Sequence, residues 1–325
     1  MDGVLIIDKP PGLTSHDVVA QVRHILHERR VGHTGTLDPF ATGVLVTLIG
    51  RATRLAQFLS GLEKEYEAVI RLGFATDTGD IMGKPVRKSE KESIPEDEPT
   101  GNREQSWSKE QIEAALKSLR GEIDQVPPMY SAKKQGGRKL YELARRGEEV
   151  ERKPVRVWIY EFEPINLASK PMAELLKDNR DGTFDLEVRV ACSAGTYIRT
   201  LAEDFGKRLG VGAHLAELRR IRVGDFPVED AKTLEQLKLH LAEESLGQIV
   251  YRPDEALARL PAVDLSADDI RRVRNGLSVK ISQTTWSGGE LVRIRDEQGN
   301  LIAVADFNAA EESLHASVVI ASDNS

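Results

Sequence analysis

A chain of 325 residues allows two domains, one with a substantial core, and 40% apolar with 30% charged residues is an ordinary globular composition. The single cysteine, Cys192, excludes an intrachain disulfide and a cysteine-based metal cluster; no long apolar span is present, and Asp2 stands where a signal peptide carries positive charge, so a cytoplasmic location with no membrane partner is expected. The net charge of −7 argues at face value against a nucleic-acid partner, because affinity for phosphates comes from clustered Lys and Arg.

In chain order, residues 4–7 read as a short buried strand closed by Asp8-Lys9-Pro10-Pro11-Gly12. Thr14 or Ser15 then caps a helix whose apolar face is Val18, Val19, Val22, Ile25 and Leu26. The segment Gly-His-Thr-Gly-Thr-Leu-Asp-Pro-Phe-Ala-Thr-Gly-Val-Leu, residues 32–45, follows, and it isolates Asp38: no other acid occurs from Arg29 to Leu62. Gly32, Gly35 and Gly43 open backbone conformations closed to other residues, and Pro39 biases Asp38 towards an extended one. Spacing alone leaves two readings, an aimed carboxylate or an Asp-Pro turn that bonds its own backbone. A β-rich run at 44–49 and a short helix at 54–59 come next. In residues 66–72, Tyr66, Ala68, Ile70 and Leu72 alternate with Glu67, Val69 and Arg71, as in a half-buried strand.

Residues 88–106 have Ile94 as their only large apolar side chain, so a mobile surface insertion is expected at 88–107. Ser108 with Gln111 forms a capping-box pattern ahead of a helix that Gly121 stops. Strands are expected at 155–162 and 184–190, with a helix from about 197 to 209. A second unit begins near Leu260: a helix from Ser266 to Gly276, strands at 291–294 and 301–307 about a turn at 296–300, and a last strand at 318–320. Charge is unevenly spread. Residues 133–156 hold nine Lys/Arg against four Glu, and Lys207, Arg208, Arg219, Arg220 and Arg222 form a second cluster, whereas no Lys or Arg follows Leu301. Two basic clusters in an acidic chain suggest a directed polyanion-binding surface.

The turn at 32–45 closely resembles the active-site signature of the TruB family of bacterial tRNA pseudouridine-55 synthases. Gly3 to Pro10, Lys64-Glu65-Tyr66, Val126 to Ala132, Gly195-Thr196-Tyr197-Ile198-Arg199-Thr200, and Gly212 to Leu215 through Leu218-Arg219-Arg220 resemble the family's other motifs in the same order. The resemblance implies an α+β pseudouridine synthase catalytic fold over residues 1–255, with a mixed, mainly antiparallel β-sheet flanked by helices. It also implies a small PUA-like RNA-binding β-barrel module over 256–325. Asp38 is the implied nucleophile, paired with Arg199, since a guanidinium keeps a partly desolvated carboxylate ionised. Tyr66 is the implied stacking partner of an extruded uridine, with a hydroxyl able to take part in proton transfer. Tyr197 and Leu218 carry over as further pocket contacts, and His33 as the residue filling the gap left by the flipped nucleotide. Lys9 is expected at the pocket edge or on a phosphate, and Arg220, with Arg219 and Arg222, on the tRNA backbone. No metal and no cofactor is expected, because isomerisation needs no redox group. The expected partner is the T stem-loop of tRNA, with no guide RNA and the chain a monomer. A second function class is an RNA-binding or tRNA-folding module with little dependence on catalysis. A nucleotide phosphate cradle lacks its Gly-Lys-Ser/Thr ending here.

Overall fold

The computed structural model describes residues 1–86, 107–131, 134–135, 138–139, 150–165, 175–281 and 285–320. The insertion expected at 88–107 lies outside these residues except for Trp107, whose Nε1 donates to the Leu209 carbonyl (3.2 Å). Lys133, Arg145 and Arg146 of the basic stretch also lie outside them. The chain forms two compact units, one of Met1–Leu37, Gly43–Gly61 and Phe226–Ser325, the other of Asp38–Thr42 and Leu62–Asp225.

In the first unit, strand β1 (Gly3–Lys9) is apolar and buried. Thr14, not Ser15, caps helix α1 (Ser15–Leu26): its hydroxyl accepts from Asp17 N while the Asp17 carboxylate accepts from Thr14 N. Ser15 is buried instead, accepting from Leu37 N and so fixing the residue before Asp38 (2.9 Å). Strand β2 (Val31–Thr34) and β1 both pair antiparallel with β3 (Thr42–Ile49). Val18, Val19, Val22 and Ile25 pack on Leu5, Ile7 and Leu45, each such side chain contributing on the order of 1.5–3 kcal/mol. A 3-10 turn leads to the short helix α2 (Ala56–Leu59).

The second unit is built around strand β4 (Lys64–Gly73), which buries Lys64, Tyr66, Ala68, Ile70 and Leu72, the alternation its sequence predicts. Helix α3 (Lys109–Lys117) starts at the Ser108/Gln111 capping box. Strands β5 (Gly121–Gln125), β6 (Val155–Pro164) and β7 (Phe184–Cys192), helix α4 (Ile198–Arg208) and strand β8 (Gly212–Val223) follow. The strands lie in the order β8-β4-β7-β6-β5, each neighbouring pair antiparallel. Strand β8 carries two bulges against β4, at Leu215/Glu217 and at Arg220/Arg222. The second decides where the arginines go. Residues two apart on a regular strand share a face, but the extra residue sets Arg220 opposite Tyr66 and Arg222 opposite Glu65, on opposite faces.

Helix α5 (Leu234–Ala242) returns to the first unit's core through Leu234 and Leu237. Beyond it, β9 (Ala262–Asp264), helix α6 (Ala267–Arg274), β10 (Val279–Lys280), β11 (Leu291–Arg295), β12 (Leu301–Asn308) and β13 (Ser313–Val319) form a curled five-stranded half-barrel in the order β9-β11-β12-β13-β10. Among its described pairings β9 and β11 run parallel and the others antiparallel, so the sheet is mixed. Ile270, Val273, Val292, Ile294, Phe307 and Leu314 make its core. The strand expected at 318–320 is the end of the longer β13.

Candidate active site

Asp38 stands in a turn closed by Ala41 N donating to its own carbonyl (3.1 Å). Gly35 and Gly43 take φ of 72° and 97°, which a side chain disfavours; Gly32, expected to do the same, does not. The carboxylate is about one-third exposed, and its partner is the buried Arg199 at the start of α4. Nε of Arg199 meets Oδ2 at 2.9 Å and Nη2 donates to Oδ1 at 3.1 Å, a two-pronged grip that fixes both position and rotation of the carboxylate. The remaining donors are also held: Nη2 by the Tyr130 carbonyl (2.7 Å), Nη1 by the Thr78 carbonyl (2.8 Å), with Asp80 Oδ2 3.8 Å from Nη1. An arginine used so fully has little freedom to swing away.

Two local devices aim that arginine. Tyr197, the residue before α4, gives the helix no side-chain cap; the buried Gln125 accepts from its N–H (3.0 Å) and donates to its carbonyl (3.4 Å). At Gly79 (φ 74°), a Cβ would lie 2.5 Å from Glu203 Oε1 and 3.3 Å from the Arg199 Cβ, so only glycine lets the Thr78 carbonyl approach. Asp80 is itself buried and accepts from the Thr78 hydroxyl (2.7 Å) and Met82 N (3.0 Å). Thr78 and Gln125 carried no signal in the sequence, Asp80 only that of an acid in a second glycine turn, and Tyr130 that of the Val126 to Ala132 motif.

Tyr66 and Leu218 are buried on the facing strands β4 and β8, and Tyr197 is half-buried. Burial pushes the Tyr66 phenol up, the Arg220 guanidinium and its hydrogen bond to the hydroxyl pull it back, and the charges of Cys192 and Asp38 push it up again. The Asp38 charge thus reaches the Tyr66 phenol. Arg220 does not meet the expectation of a backbone-phosphate contact: it is 0% exposed, because the bulge keeps it on the core face beside Tyr66. Arg222 pairs with Glu65 and donates to the Gly224 carbonyl, and Arg219 is half-buried with Nη1 3.4 Å from the Thr42 hydroxyl. Lys9 is likewise 0% exposed, its ammonium donating to the Pro10 and Leu13 carbonyls, which makes it a brace of the turn after β1 and no phosphate ligand in this conformation. His33 belongs to the first unit, half-buried on β2 with its ring edge-on to His16 at 5.3 Å. Among the described residues no group of three or more His, Cys, Asp or Glu is placed to hold a metal ion, and no helix is long and apolar enough to cross a membrane.

The mixed, mainly antiparallel α+β sheet that carries these residues is of the pseudouridylate-synthase fold class. A family model described as "TruB family pseudouridylate synthase (N terminal domain)" matches residues 23–198, and one for the "tRNA pseudouridylate synthase B C-terminal domain" matches residues 199–258. The chain belongs to the TruB family, whose members are isomerases. It is 41% identical over 94% of its length to the tRNA pseudouridine synthase B of Solibacter usitatus, covering 96% of that protein. Similarity to the Thermobifida fusca enzyme of the same name is 43%, over 94% of each chain. Among solved structures, an H/ACA RNP bound to a substrate RNA containing 2'-deoxyuridine aligns over 99% of this chain and 86% of its own (TM-score 0.68, 26% identity). A Cbf5-Nop10-Gar1 complex aligns over 98% and 85% (TM-score 0.68, 28% identity).

Proposed function

We propose that the chain isomerises the T-loop uridine of tRNA to pseudouridine, with Asp38 as the reacting carboxylate. The observation that carries this reading is the two-pronged Arg199–Asp38 pair beside Tyr66, in a chain 41–43% identical to proteins named tRNA pseudouridine synthase B. The N1–C1′ bond must break, the uracil must turn, and a C5–C1′ bond must form while C5 loses a proton and N1 gains one. Atoms are conserved, so no redox partner enters the balance. An ionised carboxylate held at fixed orientation serves each route open to this chemistry: attack at ribose C1′, attack at base C6, or assistance to a glycal. Tyr66, buried and flat, is the surface on which the extruded base stacks, and its hydroxyl lies on the proton path. Leu218 and Tyr197 line the same pocket, His33 fills the space the nucleotide leaves, and residues 256–325 act as an RNA-binding module.

The phosphate contacts of this reading fall to the basic stretch 133–156, since Arg220 and Lys9 are internal. We further propose action as a cytoplasmic monomer without guide RNA, supported by identity of 41–43% to proteins named tRNA pseudouridine synthase B against 26–28% to the H/ACA and Cbf5 chains. The test is release of tritium from an unmodified tRNA transcript labelled at uridine C5. One label per tRNA, lost when the T-loop uridine is replaced, is the expected result. Tight, salt-sensitive binding with no release overturns it in favour of an RNA-folding module.

A further inference from the structure

Arg220 is a full positive charge taken entirely out of water, a costly placement that needs a partner to justify it. It stands directly opposite Tyr66 in the β8–β4 ladder, on the same buried face. Lys64 lies two residues before Tyr66 on that face, its ammonium donating to the Leu62 carbonyl, and Cys192 lies opposite Lys64 on β7. We infer that Arg220 is a positioning residue for Tyr66: its guanidinium holds the phenolic oxygen at a fixed place and stabilises the ionised form, so that Tyr66 can take a proton from the uracil ring. This rests on the isomerase reading above.

A guanidinium only donates, so in the Tyr66–Arg220 hydrogen bond the phenolic oxygen is the acceptor. The hydroxyl proton is then directed away from Arg220, and if it leaves, the guanidinium faces the phenolate. The other groups around Tyr66 act the opposite way: Asp38 from the signature turn and the Cys192 thiol from β7 both disfavour a negative oxygen, as does burial. Arg220 is the cation that pulls against them, while burial keeps the phenol above its ordinary value. Its field also reaches Lys64, whose pKa falls to about 8 chiefly through burial and then through Arg220. The bulge at Arg220/Arg222 is the backbone device that makes the arrangement, turning one arginine inward while sending the next to Glu65.

The experiment incorporates 3-fluorotyrosine at the six tyrosines, assigns Tyr66 by the fluorine resonance missing in Tyr66→Phe, and follows its titration. The expected midpoint rises by at least about one pH unit in Arg220→Met, with Arg220→Lys between the two. Single-turnover tritium release is expected to slow about 10²-fold in Arg220→Met with tRNA affinity kept, and to change by less than about two-fold when the same substitution is made in Tyr66→Phe. Arg220→Gln, a neutral donor of similar reach, replaces Arg220→Met should circular dichroism show the latter unfolded. An unmoved Tyr66 midpoint, or losses that multiply independently in the double variant, overturns the inference. The fluorine titration needs no turnover, so an inactive chain would sink the isomerase reading while the midpoint still judges this one.

Discussion

The grip of Arg199 on Asp38 uses geometry that lysine cannot copy. A single ammonium on a flexible stem replaces Nε and Nη2 at one point and abandons the Thr78 and Tyr130 carbonyls, leaving buried acceptors unpaired. Arg199→Lys is therefore expected to lower single-turnover tritium release on the order of 10²-fold or more despite the retained charge. Asp80→Asn, which touches the guanidinium only at 3.8 Å, should cost less than Arg199→Lys in the same assay. Lys64 gives a pH-dependent signature. Its folded pKa of about 8 lies below the ordinary 10.5, so between those values the unfolded chain binds more protons and stability rises with pH. Below pH 8 the buried ammonium is a cost that Lys64→Met removes. Urea denaturation should accordingly show Lys64→Met more stable than the parent below pH 8, with the difference fading from pH 8 to about 10.5.

Helix α4 carries Arg199, and its seat depends on Gly206. A Cβ there would fall 2.5 Å from the Ala213 Cβ and 2.8 Å from its N, at the start of β8. By propensity alone Gly206→Ala should favour the helix by roughly 1 kcal/mol. Packing reverses the sign: the variant is expected to lose about 1–3 kcal/mol in thermal or urea unfolding, and to slow turnover by moving the helix that aims Arg199. The elements that the sequence makes legible are those with one dominant local signal, such as the Ser108/Gln111 capping box and the strict alternation of β4. Strand β8 shows no period of two in the sequence because its two bulges break it, and the expectation of Arg220 on the tRNA backbone rests on charge clustering, which does not report which face a residue takes. Helix α5 carried a usable signal, the Thr233/Gln236 capping box, that went unread. Of the site, Asp38, Arg199 and Tyr66 were legible through ordered motifs. Thr78 and Gln125 were not, since contacts spanning 72 and 121 residues of sequence leave no local trace.

At the scale of the whole molecule, the C-terminal half-barrel is tied to the chain that enters it by one buried arginine. Arg293 donates to the Asp254 carboxylate (2.8 Å) and to the carbonyls of Asp254, Leu260 and Ala258. Removing it leaves the Asp254 carboxylate with the more distant Arg295 (3.7 Å) and frees three carbonyls, so Arg293→Met is expected to destabilise by about 2–4 kcal/mol, read as a lower Tm. The proposed function assigns chemistry and RNA holding to separate parts of the chain: the reacting carboxylate to the signature turn, and the affinity for a polyanion to cations elsewhere. The most direct test of that division is Asp38→Asn, which keeps shape and loses the charge. Tritium release from C5-labelled tRNA under single turnover should fall by at least about 10³-fold while tRNA affinity stays within a few-fold of the parent. Release at the parent rate would contradict the assignment of Asp38 as the reacting group.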